Sequence, residues 1–267
     1  MSPMPDSDVP DNDVTVPQSA RIWNYWLGGT DNLPADRAAG DEYRALFPTI
    51  DQLARESRQY LTRAVRFLAG EAGIRQFLDV GAGLPAVDNT HQIARRAAPG
   101  ARVVYVDKDP YVLEHGRTML ARSPQISAIY LAGDLQNPPG ILAIATRELD
   151  LDEPVALILN GVLGHIPSTA EARAIVSRLM GGLPPGSYVS ISDGTLSEVP
   201  GLTKAQDHYN NDTGAVPYIL RTPEEFTSLF TGLDLVPPGI VECHRWRPDP
   251  DGGAAVGNQL GGIGRKP

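Results

Sequence analysis

The chemistry-bearing residues of this chain gather around one short run, QFLDVGAGLPA, residues 76–86. An apolar stretch ends near Asp79, and Gly81-x-Gly83-x-x-Ala86 follows. A strand that ends in glycines lets the backbone approach a ligand closely, and a helix after it directs free N–H groups toward that ligand. Pro85 falls where such a helix would begin. Asp107 ends a second apolar run, ARVVYVD (101–107), where an acid can accept hydrogen bonds from both hydroxyls of a ribose. Gly133-Asp134-Leu135 closes a third run, with Asp134 placed to accept from an adenine amino group and Leu135 to lie against the ring. Two adenosine ligands fit this set: a nicotinamide dinucleotide, used for hydride transfer, and S-adenosylmethionine, used for methyl transfer.

Asp79 separates the two. A carboxylate two residues ahead of the first glycine suits a ligand with an ammonium group and repels a pyrophosphate. Each acid also has a structural reading: Asp79 as a cap on its own turn, Asp107 as a helix-start acid, Asp134 as the opening of a turn before Pro138-Pro139. The expected cofactor set is Tyr25, Asp79, Gly81, Gly83, Asp107, Lys108, Asp134, Leu135 and Asn160. Methyl transfer from a sulfonium needs alignment and exclusion of water, and a general base only where the acceptor must lose a proton. No conspicuous catalytic pair is present. His165, after the fourth apolar run, is the one candidate base, against the plainer reading of a loop histidine bonded to backbone. Asp193 reads as a turn residue, and His208 and Tyr209 as part of a surface helix that could face the pocket. Trp23, Tyr25 and Trp26 precede Gly28-Gly29 and suggest a lid, with Tyr25 reaching the cofactor while the tryptophans pack, and Asp31 capping the next helix. The histidines at 91, 115, 165, 208 and 244 are dispersed without cysteine partners, so no metal site is expected.

These residues need a frame. RQFLDV (75–80), ARVVYVD (101–107), SAIYLAGD (127–134), PVALILN (154–160) and GSYVSIS (186–192) read as buried strands, with room between them for crossover helices. Such alternation specifies a parallel sheet covered on both faces. Asp109-Pro110, Ser168-x-x-Glu171 and Thr222-Pro223-x-Glu225 carry helix-start chemistry. LDLVPPGIVECHRW (233–246) holds two strand-like runs around Pro237-Pro238-Gly239, which predicts an antiparallel hairpin at the sheet edge with Cys243 in a strand. The glycine-rich end reads as loop, with GGIGRK able to pack as a short terminal strand. Ahead of the sheet, 34–47 and 49–70 read as helices. The second shows an apolar stripe through Ile50, Leu53, Ser57, Leu61, Ala64 and Leu68, entered at Thr49-x-x-Gln52. Arg55, Arg58, Arg63 and Arg66 on that helix read as a solvated face.

Composition sets the outer bounds. The 267 residues are 42% hydrophobic and 21% charged, ordinary for a soluble globular chain. A net charge of −9 disfavours a nucleic-acid partner, which is held through Lys and Arg. The single cysteine precludes an intrachain disulfide and fits a reducing cytoplasm. The acidic, proline-rich residues 1–17 lack the regions of a secretory signal and read as a disordered tail, and no apolar run approaches the roughly 20 residues of a membrane span.

Residues 77–84, FLDVGAGL, resemble the first motif of class I S-adenosylmethionine-dependent methyltransferases. More narrowly, the chain resembles the actinobacterial S-adenosyl methyltransferase family once labelled DUF574. The matching stretches are ARIWNYWLGGTDNLPADRAA, RAVRFLAGEAGIRQFLDVGAGLP, NTHQIA, ARVVYVDKDPYVL, GSYVSISD and the terminal GGIGRK, spanning residues 20 to 266. The resemblance implies a Rossmann-like methyltransferase fold, α/β, with a seven-stranded mostly parallel sheet carrying one antiparallel strand, plus an N-terminal helical cap. It implies a cap over 18–72, a cofactor domain over 73–267, and contacts at Asp79, Gly81, Gly83, Asp107 and Asp134. Two positions depart from the pattern: the family's Leu-His-x-x-Pro reads Leu163-Gly164-His165-Ile166-Pro167, and its Asn-Arg reads Ser57-Arg58. The expected activity is methyl transfer from S-adenosylmethionine to a small-molecule acceptor. A non-catalytic S-adenosylmethionine-binding regulator and an NAD-dependent oxidoreductase are the alternatives. Oligomeric state is left open.

Overall fold

The computed structural model describes residues 15–122, 127–249 and 256–267. The tail expected over residues 1–17 lies, through residue 14, outside the described residues. The chain opens with three helices, α1 (Ser19–Trp26), α2 (Pro34–Leu46) and α3 (Ile50–Gly70). Strands and helices then alternate: β1 (Gln76–Val80), α4 (Thr90–Ala97), β2 (Arg102–Asp107), α5 (Pro110–Ala121), β3 (Ala128–Ala132), α6 (Pro138–Glu148), β4 (Val155–Asn160), α7 (Thr169–Gly181) and β5 (Tyr188–Gly194). Helices α8 (Leu202–Asp212) and α9 (Pro223–Ser228) precede three strands, β6 (Asp234–Leu235), β7 (Val241–Glu242) and β8 (Gln259–Arg265).

One sheet runs β3-β2-β1-β4-β5-β8-β6, with β7 also paired to β8. Strands β1 to β5 are parallel, and β8 is antiparallel to β5 from Tyr188↔Arg265 to Gly194↔Gln259. The order reverses between β1 and β4, so a crevice opens beyond the carboxyl ends of these strands. The sheet is mostly parallel with one reversed strand, as the sequence pattern implies.

The expected edge hairpin does not form. β6 pairs with Arg265 and Gly264, and β7 with Gly261 and Leu260, so both run antiparallel to β8 and follow one another along it. They act as one edge strand interrupted at Pro237-Pro238-Gly239. Proline brings no N–H to a ladder, which breaks the pairing there instead of turning it. Cys243 lies just past β7 in a 3₁₀ turn, Cys243–Arg245, and is buried. The GGIGRK run is the partner that both pieces share.

Side chains alternate across the sheet. Leu78, Val80, Val104, Leu157 and Ile191 join α6, α7 and α9 in one core. Phe77, Val103, Tyr105, Ile158 and Ile263 face the other way and join Tyr60, Leu61, Val65 and Leu68 of α3 together with α4 and α5. A third cluster links α1, α2 and the first turns of α3 to Leu202, Ala205 and Tyr209 of α8. Local helix-start chemistry holds at Asp109, whose carboxylate accepts from Tyr111 N–H at 2.9 Å, and at Thr222, which forms a capping box with Glu225. Ser168 accepts from Glu171 N–H. Helix α2 is fixed by Asp36, which accepts from Leu33 N–H and pairs with buried Arg21 at 2.7 Å, rather than by Asp31.

Candidate active site

A single cavity runs along the carboxyl ends of β1 to β5 and is roofed by α1, α2, α8 and the start of α3. Its first half is built on the glycine bend. Gly81 and Gly83 take φ of +72° and +65°. A Cβ on Gly81 would come within 2.4 Å of Val162 Cγ2, so the bend needs glycine both for its backbone and for its neighbour. Gly81 N–H is bonded to Val106 O at 2.8 Å, and Gly83 N–H to Asp107 Oδ2 at 2.9 Å. The bend does not run straight into a helix. Helix α4 starts at Thr90, and Asn89 closes its first turn with Gln92 while also accepting from Ala86 N–H. Pro85 therefore sits in a loop, and the amides of Ala86 and Asn89 after it are already engaged.

Asp79 faces the α3–α4 side of the sheet, with Phe77. It is buried, and its Oδ2 accepts from Thr90 Oγ1 at 2.6 Å. Burial pushes its carboxyl up to about 6, against the opposing pull of Thr90 and Arg58. Arg58 also lines the cavity, anchored to Asp88 O at 2.9 Å. Burial lowers the Arg58 guanidinium and the Asp79 carboxylate raises it, so each group feels the other's charge without a direct ion pair among the described contacts.

The expected solvated arginine face thus splits. Arg55 and Arg66 are exposed, and Arg66 meets Asp249. Arg63 is buried and donates to the carbonyls of Trp246 and Cys243 at 2.9 and 2.7 Å. A stripe counted on one face hid a helix buried over a wider arc, including Ala54, Tyr60 and Val65. Thr49 at its start makes no side-chain cap.

Asp107 spends one acceptor site of each oxygen on backbone, Oδ2 on Gly83 N–H and Oδ1 on Asp109 N–H at 3.0 Å. A carboxylate has about four acceptor sites, so both oxygens retain capacity. Burial raises its pKa above the usual carboxylate range. Asp134 does open a turn, accepting from Gln136 N–H at 2.9 Å, and it lines the cavity with Leu135 and Lys108. Tyr25 lies elsewhere. Its hydroxyl donates to Asp41 at 2.8 Å and its ring sits under the Arg44 guanidinium, 4.7 Å from centroid to Cζ. The cavity wall takes Trp23, Asn24 and Trp26 from α1 instead, because α1 turns Tyr25 toward α2.

The second half of the cavity lies over β4, β5 and β8. Asn160 Oδ1 accepts from Ser190 Oγ at 3.2 Å, and its Nδ2 has no partner. His165 lines the wall with Nδ1 at 2.9 Å from Pro217 O. A carbonyl oxygen only accepts, so Nδ1 carries the proton and Nε2 is left with a free lone pair. Burial lowers the His165 pKa, which keeps the ring neutral near pH 7.

Behind it, the Tyr218 hydroxyl donates to Asp193 Oδ1 at 2.6 Å, and the ring meets His165 edge-on with centroids 5.1 Å apart. Asp193 is not a turn residue. It sits buried inside β5, with burial pushing its carboxyl up to about 7. Tyr209 lines the cavity, whereas His208 on the same helix faces outward between Glu42 and Asp212, each at 2.9 Å. Among the described residues, no group of three or more His, Cys, Asp or Glu side chains could hold a metal ion, and no helix is long and apolar enough to cross a membrane.

A family model described as S-adenosyl methyltransferase matches residues 6–267. The crystal structure of a DUF574 family protein from Streptomyces avermitilis MA-4680 is 39% identical, with a TM-score of 0.89, over 96% of this chain and 99% of that one. That of a protein from Thermobifida fusca YX is also 39% identical, with a TM-score of 0.86, over 97% and 99%. A carboxy-S-adenosyl-L-methionine synthase of Geobacter metallireducens is 26% identical over 136 residues, 50% of each chain. The match spans about half the length of such curated relatives.

Proposed function

The chain belongs to the S-adenosyl methyltransferase family, and from that premise we propose that it transfers a methyl group from S-adenosylmethionine to a small-molecule acceptor. The observation that carries this reading is one cavity lined by Arg58 and Asp79 beside a left-handed glycine bend, with Asp107 and Asp134 spaced along the same wall. The donor set fits the cofactor piece by piece. Asp79 and Arg58 suit an ammonium and a carboxylate on one amino-acid tail. Asp107 has acceptor sites left for two ribose hydroxyls. Asp134 can accept from an adenine amino group, with Leu135 offering an apolar surface. A dinucleotide fits less well, since its pyrophosphate would lie beside the Asp79 carboxylate. Gly81, Gly83 and Lys108 complete the wall, and Asn160 marks the border with the second half.

When bound, S-adenosylmethionine supplies a methyl group activated on a sulfonium. The protein's part is alignment and exclusion of water. Aromatic side chains of α1, α2 and α8 roof the cavity, and the unprotonated Nε2 of His165, on a ring that lines it, can take a proton from an acceptor that must lose one. Its neutral, singly protonated ring is the form a base needs. A cytoplasmic setting suits the lone buried Cys243.

Calorimetric and thermal-shift titrations with S-adenosylmethionine and with NAD test the reading. Saturation at 100 times the dissociation constant should stabilise the protein by about 2.7 kcal/mol with the first ligand only. Binding of NAD without binding of S-adenosylmethionine would overturn it.

A further inference from the structure

The two halves of the cavity differ in charge. Every charged side chain on its wall, Arg58, Asp79, Asp107, Lys108, Asp109 and Asp134, comes from β1, β2, β3, the residues just after them, or the turn of α3 beside Asp79. The other half, walled by Trp23, Trp26, Leu53, Tyr209, Val216 and Leu220, carries none. In that half, at the start of β8, Asn258 is 1% exposed, and neither its Nδ2 nor its Oδ1 has a partner. Gln259 beside it donates to Ser57 Oγ at 3.1 Å, and its Oε1 is also unpaired.

The placement is built, not incidental. Asn258 O accepts from Thr195 N–H at 2.9 Å, and Gln259 pairs with Gly194 across the β5–β8 ladder. An amide shut away from solvent with both ends unpaired costs stability that a polar partner would offset. Both residues belong to the cavity lining, so a ligand that turns the amide toward the cavity supplies such a partner.

We propose that Asn258 and Gln259 are the residues that read the acceptor, and that the acceptor is a neutral, largely apolar molecule carrying a carboxamide or lactam. Asn258 offers an NH₂ donor group and a carbonyl acceptor, and a carboxamide presents the complement to both. A carboxylate offers only acceptors, so it would set its charge against Asn258 Oδ1, and the cations of the lining, Arg58 and Lys108, come from the other half. The word acceptor rests on the methyltransferase reading; the recognition itself rests on the amide pair and the uncharged wall.

The test uses the full chain saturated with S-adenosylhomocysteine, titrated calorimetrically with benzamide and indole-3-carboxamide, each against its own carboxylate. The expected result is that at least one carboxamide binds tenfold or more tightly than its carboxylate. In Asn258→Leu that preference should vanish while S-adenosylhomocysteine affinity stays unchanged. Should Asn258→Leu fail to fold, the preference in the unmodified protein decides alone. Carboxylates that bind as well as carboxamides, a panel in which none binds, or a preference that survives Asn258→Leu would each overturn the proposal. Failure of S-adenosylhomocysteine itself to bind would instead remove the methyltransferase reading, so the two failures are distinct.

Discussion

Asp79 is the residue on which the cofactor reading turns, and its environment gives it a testable pH behaviour. Burial holds the carboxyl at about 6 in the empty protein. An ammonium beside it stabilises the ionised form, so the carboxyl must titrate lower in the complex than in the free protein. Binding therefore expels a proton below pH 6. As far as Asp79 sets it, S-adenosylmethionine affinity should be flat above about pH 7, until the ligand's own ammonium titrates, and weaken toward tenfold per pH unit below about 6. Asp79→Asn should weaken binding by about 10- to 100-fold at pH 7.5, the worth of a charge-assisted hydrogen bond, and abolish this part of the pH dependence. The sign for stability is opposite. The folded value lies above the ordinary carboxylate value, so ionised Asp79 costs the empty fold stability that is lost as pH rises through about 6. Asp79→Asn should then melt no lower than the parent at pH 8. Dissociation constants and melting temperatures of both proteins between pH 5 and 8 check the argument, and a pH-independent parent would refute it.

The turn after β4 and the segment 217–221 are two elements that hold each other. Ile219 N–H bonds Gly164 O at 2.7 Å, Arg221 donates to Leu163 O at 2.8 Å and also to Ile166 O, and His165 is held by Pro217 O. The Tyr218 ring lies against Gly164, where a Cβ would come within 2.2 Å of Cζ. Gly164→Ala must displace that ring, with its bond to Asp193. It should cost about 1–3 kcal/mol in denaturant unfolding, while leaving S-adenosylmethionine affinity unchanged because the glycine bend lies outside this clamp. None of this was legible beforehand, since 164 and 218 are joined only by folding. What was legible were the five parallel strands, because continuous apolar runs between capped helices announce a sheet buried on both faces. The three carboxylates at strand ends could be read from the same runs. Arg58 and Tyr25 could not be read, for one shared reason. Side chains at the edges of an amphipathic helix go to the core, a cavity or solvent according to what packs beside them, and periodicity alone does not say which. The interrupted edge strand does carry a signal in the sequence: two prolines together break a ladder more readily than they turn it.

At the scale of the whole molecule, the division into a helical cap over 18–72 and a cofactor domain over 73–267 becomes a question about cooperativity. Helices α1 and α2 pack largely in their own cluster with α8. Helix α3 does not. Tyr60, Leu61, Val65 and Leu68 sit in the same core as β1, β2, β4 and β8, and the Tyr60 hydroxyl donates to Gly262 O at 2.8 Å. Arg63 adds its two bonds to the Cys243 turn, so α3 ties the chain's C-terminal strands to its first one. Burying four such apolar side chains is worth on the order of 6–12 kcal/mol. That is comparable to the whole stability of an ordinary domain, about 5–15 kcal/mol. The boundary near residue 72 is thus a boundary in sequence only, and a fragment starting at residue 73 should not fold. It should lack a cooperative melt and bind no S-adenosylmethionine. In the full chain, the slowest amides of α3 should exchange with the same free energy as those of β1 and β4, while α1 and α2 open earlier. If the 73–267 fragment melts cooperatively, or α3 exchanges ahead of the sheet, then α3 is a cover laid over the sheet and not part of its core.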